Sequence, residues 1–275
     1  MKQTEQEYAK SSFNDVANQY DQIAFFKTSA QNVVKLIQHR NKQENIRVLD
    51  VACGTGNVVI ECARKLHSAN FEACDIAEGM LDKARDNALN QHIRNIHFFT
   101  ADITQLSLNK KYDVITCSYA LFFLPKAHNV LQKLHQLLTD SGFIIFTSFT
   151  DKEFSPVNDI ILSLLRKHGS TSALDYVPSR WQNLRKPQDI QHLCKLAKVD
   201  IVEITKKVIR YPMSINQWWE LLNNTGFKGM LLELTPQNYR IVKSSFYEQM
   251  TELADKTLSI ELNADSHFCI VNKTI

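Results

Sequence analysis

No apolar run in the 275-residue chain approaches the roughly twenty residues that a membrane-spanning helix needs, so stable membrane insertion is not expected. Met1 to Lys10 is polar and lacks a signal-peptide core, which points to a cytoplasmic protein. The six cysteines (Cys53, Cys62, Cys74, Cys117, Cys194, Cys269) form no Cys-x-x-Cys pair. Most lie on apolar segments where a thiol acts as a small hydrophobe, so no metal site is expected. An excess of one charge is missing too. With 32 basic against 29 acidic residues the formal charge is +3, and a nucleic-acid partner would demand a clustered basic face. Lys110-Lys111 and Lys206-Lys207 are short enough to be solvated turns or strand edges.

What is present is ordinary globular composition, 44% hydrophobic and 22% charged, enough for one principal domain with a substantial core. The most informative stretch is residues 46 to 57, Ile-Arg-Val-Leu-Asp-Val-Ala-Cys-Gly-Thr-Gly-Asn. Val48, Leu49 and Val51 make an apolar, strand-prone run. Gly54 and Gly56 allow backbone conformations and close approaches that a Cβ would block, and Val58, Val59 and Ile60 begin a helix. A dinucleotide fingerprint would place a third small residue three positions after the second glycine, and here Val59 stands there. Asp50 would repel a pyrophosphate and suits a cationic ligand instead. A nicotinamide-dependent oxidoreductase is therefore disfavoured.

Strands are expected near 46–52, 70–75, 95–100, 112–118 and 142–149 with helical patterns between them, a doubly wound α/β sheet. Ser141-Gly142 marks the start of the fifth strand. Right-handed crossovers would bring Asp50, Asp75 and Ser118 to one crevice. Asp75 lies about twenty residues beyond the glycine turn, the separation that sets a carboxylate beside a ribose. Taken singly, Gly54 and Gly56 could be an ordinary turn, Asp75 a solvated acid and Asp102 a helix N-cap.

Four motifs in order along residues 46 to 150 resemble the class I S-adenosylmethionine-dependent methyltransferases. Val48 to Gly56 is similar to the first, with Ala52 where the family has its first glycine. Phe71 to Leu81 resembles the second, which implies that Asp75 holds the ribose hydroxyls, with Ile76 beside it and Met80 near the adenine. Thr100-Ala101-Asp102-Ile103 resembles the third, in which the Asp side chain and the next amide read the adenine edge. Tyr112 to Leu121 resembles the fourth, whose strand end, at Ser118, faces the methionine part and the acceptor. Phe13 to Asp21 is similar to an N-terminal stretch of small-molecule methyltransferases and makes Tyr20 a candidate lid residue. The resemblance implies a mostly parallel seven-stranded sheet with an antiparallel last strand.

The apolar alternation of Val199, Ile201, Ile204, Val208 and Ile209 reads as strand six, and 268–272 as strand seven. In the family fold these two are nearly contiguous. Here Pro212 to Ser266 intervenes, far beyond ordinary connections, and its pattern suggests a helical cap over the crevice. The expected organisation is an N-terminal helical lid (1–45), a methyltransferase domain (46–211 with 267–275) and the cap (212–266). Trp218 and Trp219 could wall an acceptor or glue the cap to the body, the second being more usual for Trp at helical spacing.

The resemblance points to the quinone C-methyltransferase and malonyl-carrier-protein carboxyl methyltransferase group, with S-adenosyl-L-methionine as cofactor. It implies a small-molecule or carrier-bound acyl acceptor, made more apolar by Phe122-Phe123 where the family often has a His-His pair. A hydroxyl acceptor would want a base, for which Tyr119, His128 and His168 are candidates by position. A carboxylate acceptor would want a cationic clamp such as Arg166, Arg180 or Arg185. A catalytically inactive cofactor-binding module is the alternative.

Overall fold

A computed structural model describes residues 17, 23–41, 43–124, 126–171, 173, 184–225, 227–254 and 256–273. The first part of the chain alternates strand and helix. After helix α1 (Ala24–Arg40) come β1 (Arg47–Val51), α2 (Asn57–Lys65), β2 (Asn70–Asp75), α3 (Glu78–Asn90), β3 (Ile96–Thr100), β4 (Tyr112–Ser118), α4 (Ala127–Gln136) and β5 (Leu138–Phe149). Then follow α5 (Val157–Lys167), α6 (Pro187–Ala197), β6 (Ile201–Lys207), β7 (Arg210–Ser214), α7 (Ile215–Asn223), α8 (Phe227–Leu232), α9 (Pro236–Leu253), β8 (Ser259–Asn263) and β9 (Ser266–Asn272). None of the described helices is long and apolar enough to cross a membrane.

Seven strands form one sheet in the order β3-β2-β1-β4-β5-β9-β6. The first five are parallel, and β9 runs antiparallel to both β5 and β6. Strand order reverses between β1 and β4, the switch point at which open α/β sheets leave a crevice at their carboxyl ends. The inner strands carry near-continuous apolar runs, as a sheet covered on both faces requires: Val48, Leu49, Val114, Ile115, Ile144 and Ile145 are wholly buried. α1 lays Phe25, Val33, Val34 and Ile37 against this core and packs on α2, so the described part of segment 1–45 is a wall of the domain.

Three expectations shift. The fifth strand starts at Leu138, because the chain passes through Gly142 while still paired: a Cβ at Gly142 would stand 2.8 Å from the Tyr112 carbonyl oxygen. That glycine marks a close backbone approach to β4, where the register also shifts. Strand six covers 201–207 only. Val199 precedes it, and Val208 and Ile209 form the break before β7, where Asp265 Oδ1 accepts from the Ile209 amide at 3.2 Å. Finally, the cap segment is not wholly helical. β7 and β8 pair antiparallel beneath it as a separate two-stranded sheet, and α7 to α9 lie between them.

The cap helices start on local signals. Ser214 and Gln217 form a reciprocal capping box on α7, and Thr235 with Pro236 starts α9. α9 packs on α5 of the main domain. Trp218 is fully buried, donates from Nε1 to the Ile260 carbonyl at 3.2 Å and meets Phe154 edge-on at 6.1 Å. Trp219 packs on Tyr239, Phe246 and Tyr247 inside the cap. The tryptophan pair is glue.

Candidate active site

The loop from β1 to α2 forms the floor of the crevice. Ala52, Gly54 and Gly56 all have positive φ, of 50°, 56° and 84°. A Cβ on Gly56 would stand 2.9 Å from Ile60 Cδ1 and 3.2 Å from Ala84 Cβ, so this glycine is needed for the turn and for packing α2 against α3. Gly54 faces open space, and nothing lies within 4 Å of where its Cβ would be. Ala52 adopts the left-handed conformation despite its side chain, at a cost of about 1–2 kcal/mol.

Asp75, closing β2, is tied to this loop. Its Oδ2 accepts from the Gly54 amide and its Oδ1 from the Ala77 amide, both at 2.9 Å. Burial pushes its carboxyl upward, against the pull of the amides of Ala77, Gly54 and Ile76. Ile76 is half-buried, and Met80 lies fully buried in a small cluster with Ala17 and Ala77. Asp102 stands just past the end of β3, where the Ala101 amide bonds to the Asp75 carbonyl at 2.9 Å. The sheet therefore brings Asp50, Asp75 and Asp102 to the adjoining carboxyl ends of β1, β2 and β3. Asp102 also caps the single turn Ile103–Gln105, accepting from the Thr104 amide and hydroxyl at 2.8 Å each, with Ile103 buried behind it.

A crevice opens above the loop, lined among others by Phe26 and Ser29 of α1, Asp50, Gly54, Ser118 and Tyr119. Two of its polar atoms, Asp50 Oδ2 and Ser118 Oγ, are buried without a hydrogen-bond partner. Asp50 Oδ1 accepts from Thr116 Oγ1 at 2.6 Å. Burial nonetheless pushes the Asp50 carboxyl up to about 7, with Thr116 and the Val59 amide pulling down and nearby Asp75 adding to the rise. A buried carboxylate with one orphaned oxygen calls for a cation, and a neighbouring hydroxyl can serve the same ligand. These residues fit a ligand carrying ammonium and sulfonium groups.

Tyr119 lies at the crevice wall with φ of 53°. Its hydroxyl sits between Ser29 Oγ at 3.0 Å and Ser266 Oγ at 2.9 Å, and its amide bonds to Thr147. Burial pushes the phenol up to about 12, so it carries its proton at neutral pH. His128 and His168 do not line this crevice. The turn Leu121–Phe123 carries the chain out to α4, where His128 faces a separate groove shared with α6. His168 ends α5, and its carbonyl accepts from Asn238 Nδ2 of the cap at 2.8 Å. Of the cations considered for a carboxylate clamp, Arg166 donates to the Ala173 carbonyl at 2.9 Å and Arg185 pairs with buried Glu153 at 2.7 Å. Tyr20 and Arg180 lie outside the described residues.

Sequence reasoning passed over Thr116, Ser29, Ser266 and Glu153. Thr116 had a signal, a polar residue in an otherwise apolar central strand. Ser29 and Ser266 had none, because they meet Tyr119 from 90 and 147 residues away.

The fold is similar to that of class I S-adenosylmethionine-dependent methyltransferases, and the chain is a methyltransferase with S-adenosylmethionine as its cofactor. Residues 48–142 match the family model described as a methyltransferase domain. The chain is similar to a malonyl-[acyl-carrier protein] O-methyltransferase of Bacillus cereus, 26% identical over 191 residues, covering 69% of this chain and 68% of the relative. It is also similar to aklanonic acid methyltransferase DauC of a Streptomyces species, 28% identical over 183 residues, covering 62% and 77%. In fold it resembles the plantazolicin methyltransferase BpumL in complex with a desmethyl analogue and S-adenosylhomocysteine. That match has a TM-score of 0.55 and 18% identity, covering 98% of this chain and 95% of the other. None of these findings supports the inactive alternative.

Proposed function

We propose that the enzyme methylates a small, largely apolar metabolite or a carrier-bound acyl group in the cytoplasm, without a nucleic-acid partner. The observation carrying this reading is the aromatic wall beside the crevice. The ring of Tyr119 stacks on Phe149 at 4.4 Å, Phe26 meets Tyr119 at 5.7 Å, and Phe122 meets Phe149 at 6.0 Å. Such a wall favours an apolar body and excludes water from the reacting centre. Relatives named for malonyl-carrier protein and aklanonic acid are in keeping with it.

In this reading the cofactor supplies a methyl group on a positively charged sulfur, so no covalent nucleophile is required of the protein. Asp50 and Ser118 hold the cationic methionine end, Asp75 the ribose, and Asp102 with the Ile103 amide the adenine edge. Ala52, Gly54 and Gly56 shape the floor, and Ile76 and Met80 back the nucleoside. Tyr119, neutral and doubly hydrogen-bonded, is better suited to position the acceptor than to take its proton. Residues 46–211 with 267–275 carry the reaction, 1–45 closes one side and 212–266 caps the other. Incubation with radiolabelled methyl donor and fractionated cell extract tests the proposal: label should appear in small lipid-soluble or carrier-bound material. Label confined to RNA or to bulk protein would sink it.

A further inference from the structure

Past the end of β4 the chain faces two openings within a few residues. Ser118 and Tyr119 line the cofactor crevice, while Leu121, Phe122 and Leu124 line the groove between the start of α4 and α6. The turn between them is held by two backbone bonds: the Phe123 amide donates to the Ala120 carbonyl at 3.0 Å and the Leu124 amide to the Leu121 carbonyl at 3.2 Å. Phe122 is thereby fixed between the openings. It lines the groove, its ring meets Phe149 at 6.0 Å, and Phe149 stacks on Tyr119 of the crevice at 4.4 Å.

The other side of the groove is one face of α6. Asp189, His192, Leu193 and Leu196 line it at positions i, i+3, i+4 and i+7, a stripe of about two turns or roughly 10 Å. Most of the lining is apolar. Of its polar members Lys126 and His192 are exposed, His128 is half-buried, and Asp189 is turned to the start of its own helix, accepting from the Lys186 amide at 3.3 Å. Leu196 is 50% exposed, and Phe123, packed on Phe122 at 4.6 Å, is 37% exposed. Apolar walls left open to water beside a few polar groups are the composition of a ligand site.

Room decides which part of an acceptor belongs where. The crevice is the smaller opening, and its unpartnered Asp50 and Ser118 atoms are claimed by the methionine end of the cofactor. The groove is several times larger. An acceptor that presents its reacting atom beside Tyr119 must place the rest of its body elsewhere, and the aromatic wall leads from Tyr119 through Phe149 to Phe122 and the groove. We infer that the groove is the subsite for an aliphatic chain of the acceptor, which passes over Phe122 and lies between Leu124 and the Leu193–Leu196 face of α6. This rests on the proposed apolar acceptor and narrows it to one carrying a chain of about eight carbons, the length that two turns of helix accommodate. A compact ring system would leave the groove empty.

Three probes with one head and growing tails, 4-methylphenol, 4-butylphenol and 4-octylphenol, test it by calorimetry on the protein saturated with S-adenosylhomocysteine. Each methylene that enters the groove should tighten binding about three- to fourfold, so the octyl probe should exceed the butyl probe by at least about tenfold. Leu193→Trp, which fills the groove, and Leu196→Asp, which charges its open wall, should each cut that ratio below about threefold. S-adenosylhomocysteine binding reports that each variant is folded, and Leu196→Asp, at an exposed position, carries the test if Leu193→Trp does not fold. Equal affinities for the butyl and octyl probes, or a gain with length that the variants retain, overturns the inference. So does a wild-type dimer that Leu196→Asp separates, since a second copy would then cover the groove. Failure of all three phenols to bind protein that holds S-adenosylhomocysteine would strike the apolar acceptor itself and the inference with it, a result distinct from binding without a gain with length.

Discussion

At the scale of single residues, Asp50 governs the pH response. Its folded carboxyl titrates near 7, above the 3.8 of an exposed aspartate, because burial opposes its charge. The folded protein without cofactor therefore holds this proton more tightly than the unfolded chain does. Its contribution favours the fold at low pH and is lost as pH climbs from about 4 towards 7. Cofactor binding has the opposite sign, since the ammonium and sulfonium need the ionised form. S-adenosylhomocysteine, which keeps the ammonium, should bind about eightfold more weakly at pH 6 than at pH 7.5, the ratio expected for a group that must lose a proton near 7. Calorimetry at the two pH values reads it directly, and Asp50→Asn should flatten the dependence while lowering affinity throughout. A flat profile in the wild type would mean that the orphaned oxygen does not meet the cation.

At the scale of elements, the loop joining β1 to α2 shows why part of this molecule is readable from its residues and part is not. A strand, a glycine turn and a helix are specified within a dozen neighbouring positions, so the site floor, Asp50 and Asp75 follow from local pattern. The bonds of Tyr119 to Ser29 and Ser266 come from three distant elements, and no local pattern encodes them. The β7–β8 pair is hidden for the same reason: its strands meet only after the whole helical cap has intervened. The loop also yields a pair of stability changes of opposite sign. Ala52→Gly should stabilise the protein by about 0.5–1 kcal/mol, because relief of the left-handed Cβ strain outweighs the greater freedom of glycine in the unfolded chain. Gly56→Ala should destabilise it by about 2–4 kcal/mol, adding the same strain to a Cβ 2.9 Å from Ile60. Urea melts of the two variants check both signs, and matching shifts would show that the glycine turn is not what sets the packing of α2.

At the scale of the whole molecule, the question is whether the cap folds as part of the catalytic body. An aromatic chain runs between them without a break. Phe25 packs on Phe26, Tyr119, Phe149 and Phe154, and Phe154 in turn meets Trp218 of α7. α9 packs along α5, and β9 returns from the cap into the main sheet between β5 and the edge strand β6. Because the chain must pass through the cap before it can complete the sheet, losing the cap's anchorage exposes the sheet as well. Trp218→Ala removes a fully buried indole and strips the Ile260 carbonyl of its donor, a loss of about 3–5 kcal/mol. Against a total stability of about 5–15 kcal/mol that is a large fraction. If cap and body are one cooperative unit, the variant should unfold in a single transition at lower denaturant, and S-adenosylhomocysteine should move that whole transition upward although no residue of α7 lines the crevice. Two transitions, with the cofactor shifting only the later one, would show instead that the cap melts independently and that the aromatic chain is contact without coupling.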